Sequence, residues 1–175
     1  MAHQIDITSV RYATGDPLGD RPRLRFAVGA FHGWEQLGEV LRDVRIRGLV
    51  LDSFNCLALQ RMFDGKAILA PNQKRVPVRV LPFADSPEPV ACTAGPLADC
   101  LIDRINSGAR SLGSALGHWL IARHAKHFED AALAGKILFW IQIFDADDER
   151  GAYQSLLAHS SNSVGVHDLM LPNEQ

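Results

Sequence analysis

The segment Gly135-Lys-Ile-Leu-Phe-Trp-Ile-Gln-Ile-Phe144 decides the fold. It is an apolar run rich in β-branched and aromatic residues, and it begins at a glycine that follows a helical pattern. Asp145, Asp147 and Asp148 come directly after it. Aspartate favours the N-cap and the first turn of a helix, where backbone N–H groups lack partners. The segment is therefore predicted to be a buried strand that leads into a helix.

The residues after this strand complete a β-α-β unit. Tyr153, Leu156 and Leu157 form the apolar side of the helix, and the polar residues 160–163 end it. Val164 to Leu171 then alternates as a half-buried strand does. The sequence thus predicts strand, helix and strand in succession.

A second unit of the same kind lies near the N-terminus. Leu24 to Phe31 alternates as a strand, and an apolar stripe at helical spacing follows it. Gly48 is the predicted C-cap of that helix, and Leu49 to Ser53 is the predicted second strand. The stripe consists of Trp34, Leu37, Leu41 and Val44.

Two such units pair most simply within one sheet. Right-handed crossovers place both of their helices on the same face. The predicted fold class is therefore α+β, a duplicated βαβ that forms a ferredoxin-like, four-stranded, mainly antiparallel sheet with an inserted helical segment. Two separate sheets are the alternative that the pattern leaves open.

The chain between the two units divides into a connector and a helical insert. Five prolines between positions 71 and 89 forbid a continuous ladder, so the connector is predicted to be irregular, with edge strands such as Val76 to Phe83. The insert begins with a predicted helix over Pro96 to Asn106. Its apolar face then changes direction, which predicts a break between Gly117 and Leu120.

These segments are predicted to share one domain. A chain of 175 residues, 47% hydrophobic and 22% charged, has the length and composition of a single globular unit. The predicted organisation is an N-terminal arm over 1–22 and a single α/β domain over 23–175, which contains the first unit at 23–54, the connector at 55–95, the helical insert at 96–134 and the second unit at 135–171.

Composition and charge exclude several classes of function. The formal net charge of −2 gives no concentrated basic face, so no nucleic-acid partner is expected. The first residues lack a signal-peptide pattern, and Ser111 to Ala122 is far shorter than the roughly 20 apolar residues that cross a bilayer. Three widely spaced cysteines, Cys56, Cys92 and Cys100, suit reduced thiols. We therefore predict a cytoplasmic protein without a membrane partner.

Three stretches resemble the heat-induced general-stress-protein family of bacteria. Ala125-Lys-His-Phe-Glu-Asp-Ala-Ala-Leu-Ala-Gly-Lys-Ile-Leu-Phe-Trp-Ile141 is similar to its hallmark, an aromatic residue, two acids, small residues and a glycine before an apolar strand. Leu156 to Asp168 is similar to its closing helix and strand, and Ala27 to Phe31 to its first unit. The resemblance covers about residues 24–53 and 111–171. It departs at Ile121, where a proline is expected.

The resemblance implies a small cytoplasmic α/β protein that takes part in the stress response. It does not bring an active site with it, and residues 1–22 and 55–95 have no counterpart in the family pattern.

Two histidines are the candidates for metal ligands. His124 and His127 are spaced i, i+3 on the predicted helix, with Asp130 one step further. Arg123 and Lys126 lie beside them, and a bound divalent ion would add to this positive charge. A solvated helix face explains the pair without a metal. We therefore predict no metal and no cofactor, and His124 and His127 stay as candidates only.

Four residues are the candidates for ligand binding. His118 and Trp119 lie at the predicted helix break, where a histidine either satisfies free carbonyls or lines a pocket. His167 lies beside Asp168 on the last strand, but adjacent strand residues point to opposite faces and do not form an acid–base pair. Trp140 of the central strand completes the set. No catalytic residue is assigned.

The preferred interpretation is a non-enzymatic binding or protein-interaction module. An open four-stranded sheet leaves one face uncovered, and Phe139 and Trp140 then favour pairing with another copy, which predicts a homodimer. A groove between the sheet and the inserted helices is the predicted site for a small ligand. The alternatives are a small dimeric α+β-barrel-like enzyme with a pocket in that groove, argued from fold analogy, and a metal-responsive regulator that uses His124 and His127.

Overall fold

The computed structural model of the protein describes residues 23–48, 54–69, 74–160 and 164–171. These ranges form one sheet of six strands with five α-helices. The strands are β1 Arg23–Phe31, β2 Phe54–Leu59, β3 Val78–Leu81, β4 Val90–Thr93, β5 Ile137–Ile143 and β6 Gly165–Met170. The helices are α1 Trp34–Ile46, α2 Pro96–Asn106, α3 Leu112–Leu116, α4 Ala122–Leu133 and α5 Ala146–His159, with a 3-10 turn at Gln60–Phe63. The predicted arm over residues 1–22 lies outside the described residues.

The strand β5 lies inside the sheet, whose order is β3-β4-β2-β5-β1-β6 with every neighbouring pair antiparallel. Trp140 of β5 is opposite Val28 of β1 on one side and Asn55 of β2 on the other. The strands β1 and β2 therefore enclose β5, and β5 and β6 enclose β1. The predicted α+β class and the mainly antiparallel sheet are confirmed.

The sheet has six strands where four were predicted. The additional strands β3 and β4 pair with each other and extend the sheet beyond β2. Pro77 and Pro82 flank β3, and Pro89 precedes β4. The prolines therefore border both strands without preventing their pairing, and β3 lies within the edge strand predicted over Val76 to Phe83.

The first unit ends with β2, which runs to Leu59 and so continues past residue 54, the predicted end of that unit. The predicted strand Leu49 to Ser53 lies outside the described residues. Five of the six residues of β2 are buried, including the polar Asn55.

Asn55 connects β2, β4 and the start of α2. Its Nδ2 donates to the backbone oxygen of Thr93 at 2.8 Å, and its Oδ1 accepts from the backbone N–H of Leu97 at 3.3 Å. Gly95 lies directly against it with a φ of 156°, and a Cβ there would be 2.7 Å from Nδ2. A buried amide thus replaces the usual side-chain cap of α2.

Each face of the sheet carries a layer of helices. On β5, Leu138 and Trp140 point into the core formed with α2, α3 and α4. The alternate residues of β5 point into the core formed with α1 and α5. These alternate residues are Ile137, Phe139, Ile141 and Ile143. A strand that is apolar on both sides therefore requires both layers.

The helical insert follows the sequence pattern. The helix α2 spans Pro96–Asn106, as predicted. The predicted break is also confirmed, because α3 ends at Leu116 and α4 starts at Ala122. Ser111 and Ser114 form a capping box at the start of α3. At the start of α5, Asp145 accepts a 2.7 Å hydrogen bond from the backbone N–H of Asp148.

The homodimer was predicted from an uncovered sheet face, and that reason does not hold. Phe139 and Trp140 are both fully buried within one chain, the first under α1 and α5 and the second under the insert. The insert covers the sheet face that the sequence interpretation left open. Self-association would need a different surface.

We predict that Asn55→Ala lowers the free energy of unfolding by about 1–3 kcal/mol, because the backbone oxygen of Thr93 and the N–H of Leu97 both lose a buried partner. Urea unfolding followed by circular dichroism measures the change. The matched control is Asn106→Ala, an exposed position at the end of α2, which should change stability by less than about 0.5 kcal/mol. Equal losses in the two variants would contradict the role of Asn55.

Candidate functional site

The four predicted ligand-binding residues lie in a surface turn, in the core and on the last strand. His118 and Trp119 lie in the turn between α3 and α4, with ring centroids 5.4 Å apart. Trp119 donates from Nε1 to the backbone oxygen of Met170 at 3.0 Å, so this turn is fixed to the end of β6. His118 is exposed. Trp119 therefore fixes the turn to the edge of the sheet, and His118 lies beside it at the surface.

Trp140 is part of the core. Its ring lies 5.7 Å from that of Phe26 and 5.6 Å from that of Phe128. Its indole Nε1 is buried and has no hydrogen-bond partner among the described residues. These rings fill the space between the sheet and α4, where a ligand groove was predicted.

His167 connects this core to the surface. Its ring lies 5.5 Å from Phe128 and 5.4 Å from His124. Burial, and to a smaller extent the nearby His124, lower the pKa of His167 to about 4, while Asp168 acts in the opposite direction. The imidazole of His167 is therefore neutral at physiological pH.

The candidate metal pair is separated in the structure. The ring of His124 contacts His167 on β6, whereas the ring of His127 lies against Phe128 at 5.8 Å. Within the described ranges, no group of three or more His, Cys, Asp or Glu side chains has the arrangement of a metal site. The i, i+3 spacing in the sequence indicated His124 and His127 as a pair, whereas the histidine whose ring contacts His124 is His167 on β6.

Asp168 is held on the opposite side of β6 from His167. Its carboxylate accepts two hydrogen bonds from Nη1 of Arg25, at 3.0 and 3.1 Å. Arg25 also donates to both carboxylate oxygens of Glu149 on α5. This network joins β1, β6 and α5 and engages the carboxylate of Asp168.

The cysteines are structural. All three thiols are buried. Burial raises the pKa of Cys56 and of Cys100 to about 12, and it also raises that of Cys92. Because a nucleophile or metal ligand must be a thiolate, these side chains are inert at neutral pH.

A cleft between α3 and α4 is a concave site that the sequence did not predict. Its volume is about 300 Å³. One wall of the cleft is formed by Gly113, within α3, and by Gly117, directly after its last residue. Side chains of α4 form the other wall. The lining residues are Ser111, Gly113, Ser114, Gly117, Ala122, Ala125, Lys126 and Glu129. The signal in the sequence is the spacing of the two glycines, which permits close approach of a neighbouring helix.

Glu129 and Lys126 supply the charges of this cleft. Glu129 accepts a hydrogen bond from the backbone N–H of Gly113 through Oε2, and a Cβ at Gly113 would lie 2.8 Å from that oxygen. Lys126 lies one turn earlier on α4 and forms an exposed ion pair with Asp130, with Nζ 3.3 Å from Oδ2. The cleft therefore has a carboxylate held by a backbone hydrogen bond and an exposed ammonium group.

No protein-family model matches the chain, and no curated protein or solved structure shows significant similarity to it. The similarity to general stress proteins therefore stays a prediction from sequence. In the part of the chain that the structure describes, no helix is long and apolar enough to span a bilayer.

We predict that, because of His167, the free energy of unfolding decreases as the pH falls. Its pKa is about 4 in the folded protein, below the ordinary value of 6.5, so the unfolded chain binds the extra proton first. Stability is then lost between pH 6.5 and 4, and His167→Phe should reduce that loss. Urea unfolding at pH 7 and 4.5 in metal-free buffer measures it. The exposed His118→Phe serves as control, and an undiminished loss in His167→Phe would contradict the prediction.

Proposed function

We propose that the protein is a non-enzymatic binding module that takes a small zwitterionic molecule in the cleft between α3 and α4. The observation that supports this proposal is a cleft of about 300 Å³ with a carboxylate, Glu129, fixed on one wall and an ammonium group, Lys126, at its rim. A role in the stress response rests on the sequence resemblance alone.

The size of the cleft restricts the ligand. Small-molecule sites in proteins occupy roughly 300–1,000 Å³, so this one suits a ligand no larger than an amino acid or a dipeptide. Its lining consists of glycine, alanine and serine apart from Lys126 and Glu129, which leaves space for the ligand but supplies little apolar contact. Affinity must therefore come from charge.

The two charges fit opposite ends of one molecule. Oε2 of Glu129 is held by the N–H of Gly113, so its second oxygen is the natural partner for a ligand ammonium group. Lys126 exchanges its exposed contact with Asp130 for a ligand carboxylate at small cost, because exposed ion pairs contribute roughly 0–1 kcal/mol. Charge-assisted hydrogen bonds then orient the ligand.

The enzyme alternative receives no support from the core. A pocket of the α+β-barrel kind would occupy the space between the sheet and the insert. Phe26, Phe128 and Trp140 fill that space with their rings in contact.

We also infer a ferredoxin-like duplication for the four strands β2, β5, β1 and β6. Their order supports it, because each βαβ unit encloses one strand of the other. The hairpin of β3 and β4 is then an addition at one edge. The predicted homodimer now depends on apolar side chains that stay exposed in a single chain, such as Ile46, Tyr153 and Leu157.

We predict that Glu129→Gln weakens binding of a zwitterion by roughly tenfold or more, since a hydrogen bond to a charged partner contributes about 1.5–3 kcal/mol. Titration of ¹⁵N-labelled protein with the common amino acids, followed by two-dimensional NMR, should shift the amides of α3 and α4 and give the affinity.

The matched control is Glu35→Gln, the same change at an exposed position of α1 on the other side of the sheet. It should bind as the unchanged protein does. Shifts confined to residues outside α3 and α4, or equal binding by Glu129→Gln, would contradict the proposal. Thermal unfolding confirms that both variants are folded.

A further inference from the structure

His124 and His167 face each other across the boundary between the insert and the last strand of the sheet. His124 lies on α4 and His167 on β6, and both are half-buried. Their ring centroids are 5.4 Å apart and their planes are inclined by 71°. The two rings therefore form a direct contact between elements that lie far apart in the sequence.

The strand β6 is attached to the rest of the molecule by few contacts. In the described sheet it is an outermost strand and pairs with β1 alone. Towards the insert, the ring of His167 stands edge-on to Phe128 at a centroid distance of 5.5 Å. Near the end of the strand, Trp119 donates from Nε1 to the backbone oxygen of Met170. Because the outer elements of a fold open at the lowest cost, a small change in these contacts shifts the opening of β6.

Protonation changes the contact between the two histidines. Neutral imidazoles pack as ordinary rings, whereas two imidazolium ions at this distance repel each other. Partial burial strengthens the repulsion, since water screens the charges less. Burial, and to a smaller extent His124, also lower the pKa of His167 to about 4. A proton therefore binds His167 more readily once the two rings have separated.

The acidic side chains nearest to the pair are engaged with other partners. Asp168 acts against the fall in pKa, but its carboxylate is bonded to Arg25 on the other side of β6. On α4, Glu129 accepts from a backbone N–H of α3, and Asp130 pairs with Lys126. These carboxylates are therefore poorly placed to neutralise two imidazolium ions.

The other ionisable groups at this boundary are basic. Arg123 precedes His124 on α4, and His127 follows one turn later. His118 lies in the turn before the same helix, beside Trp119. As the pH falls, positive charge therefore accumulates on this side of the insert.

We propose that the contact between His124 and His167 is an acid-sensitive switch, which holds β6 to the insert at neutral pH and releases the strand in acid. Release of β6 leaves one edge of β1 unpaired, while β5 keeps its two neighbours β1 and β2. This inference is independent of the cleft ligand, because the two histidines do not line the cleft between α3 and α4.

Amide hydrogen exchange of the full chain at pH 7 and pH 5 tests the proposal, with NMR detection and each rate divided by the intrinsic rate at that pH. Protection of the β6 amides should fall about twentyfold between the two pH values, as expected when the pKa of His167 rises from about 4 to the ordinary 6.5 on opening. The β5 amides should stay more protected than those of β6 at both pH values, because β5 remains in the sheet when β6 opens.

Three phenylalanine variants, each of which keeps a ring and removes its charge, identify the residues responsible. In His167→Phe the fall in β6 protection should shrink to within about twofold, and His124→Phe should also reduce it. The matched control His127→Phe, at an exposed position of α4, should show the full change. Circular dichroism at both pH values confirms that the variants are folded. An undiminished fall in His167→Phe or in His124→Phe, or equal protection of the β5 and β6 amides at pH 5, would overturn the proposal.

Discussion

The burial of β5 on both of its faces is the constraint on which the rest of the structure depends. All seven of its residues are buried, and both of its edges are paired, with β1 and with β2. An apolar strand of this kind cannot lie in a two-layer sheet with one face in water. The crossover helices α1 and α5 cover one face, and the insert covers the other. The insert is therefore part of the core and not an appendage.

Local sequence signals were enough to predict three features of the fold. The aspartate cap of α5, the helix from Pro96 and the break after Gly117 depend on neighbouring residues, and all three are present. Residues 55–59 were assigned to the irregular connector, whereas they belong to β2, and the partners of the buried Asn55 lie in distant residues, Thr93 and Leu97. The edge strand predicted over Val76 to Phe83 contains β3, but its partner β4 was not identified, because their pairing depends on contacts between segments that lie apart in the sequence.

The candidate sites were harder to predict, for a physical reason. A sequence shows neighbours on one helix, such as His124 and His127, but not partners that the fold brings together. The contact of His124 with His167 and the hydrogen bond from Gly113 to Glu129 both join distant segments. Trp140, which looked suitable for ligand contact, is instead required inside the core. The cleft that carries the proposed function lies within the insert, between α3 and α4.

Amide hydrogen exchange measured by NMR tests the central claim most directly. If β5 is enclosed by two strands and two helical layers, its amides should exchange only through global unfolding, with protection equal to the free energy of unfolding. The outer strands β3 and β6 should exchange faster, since each has one unpaired edge in the described sheet. Exchange of the β5 amides as fast as those of β6 would contradict the account.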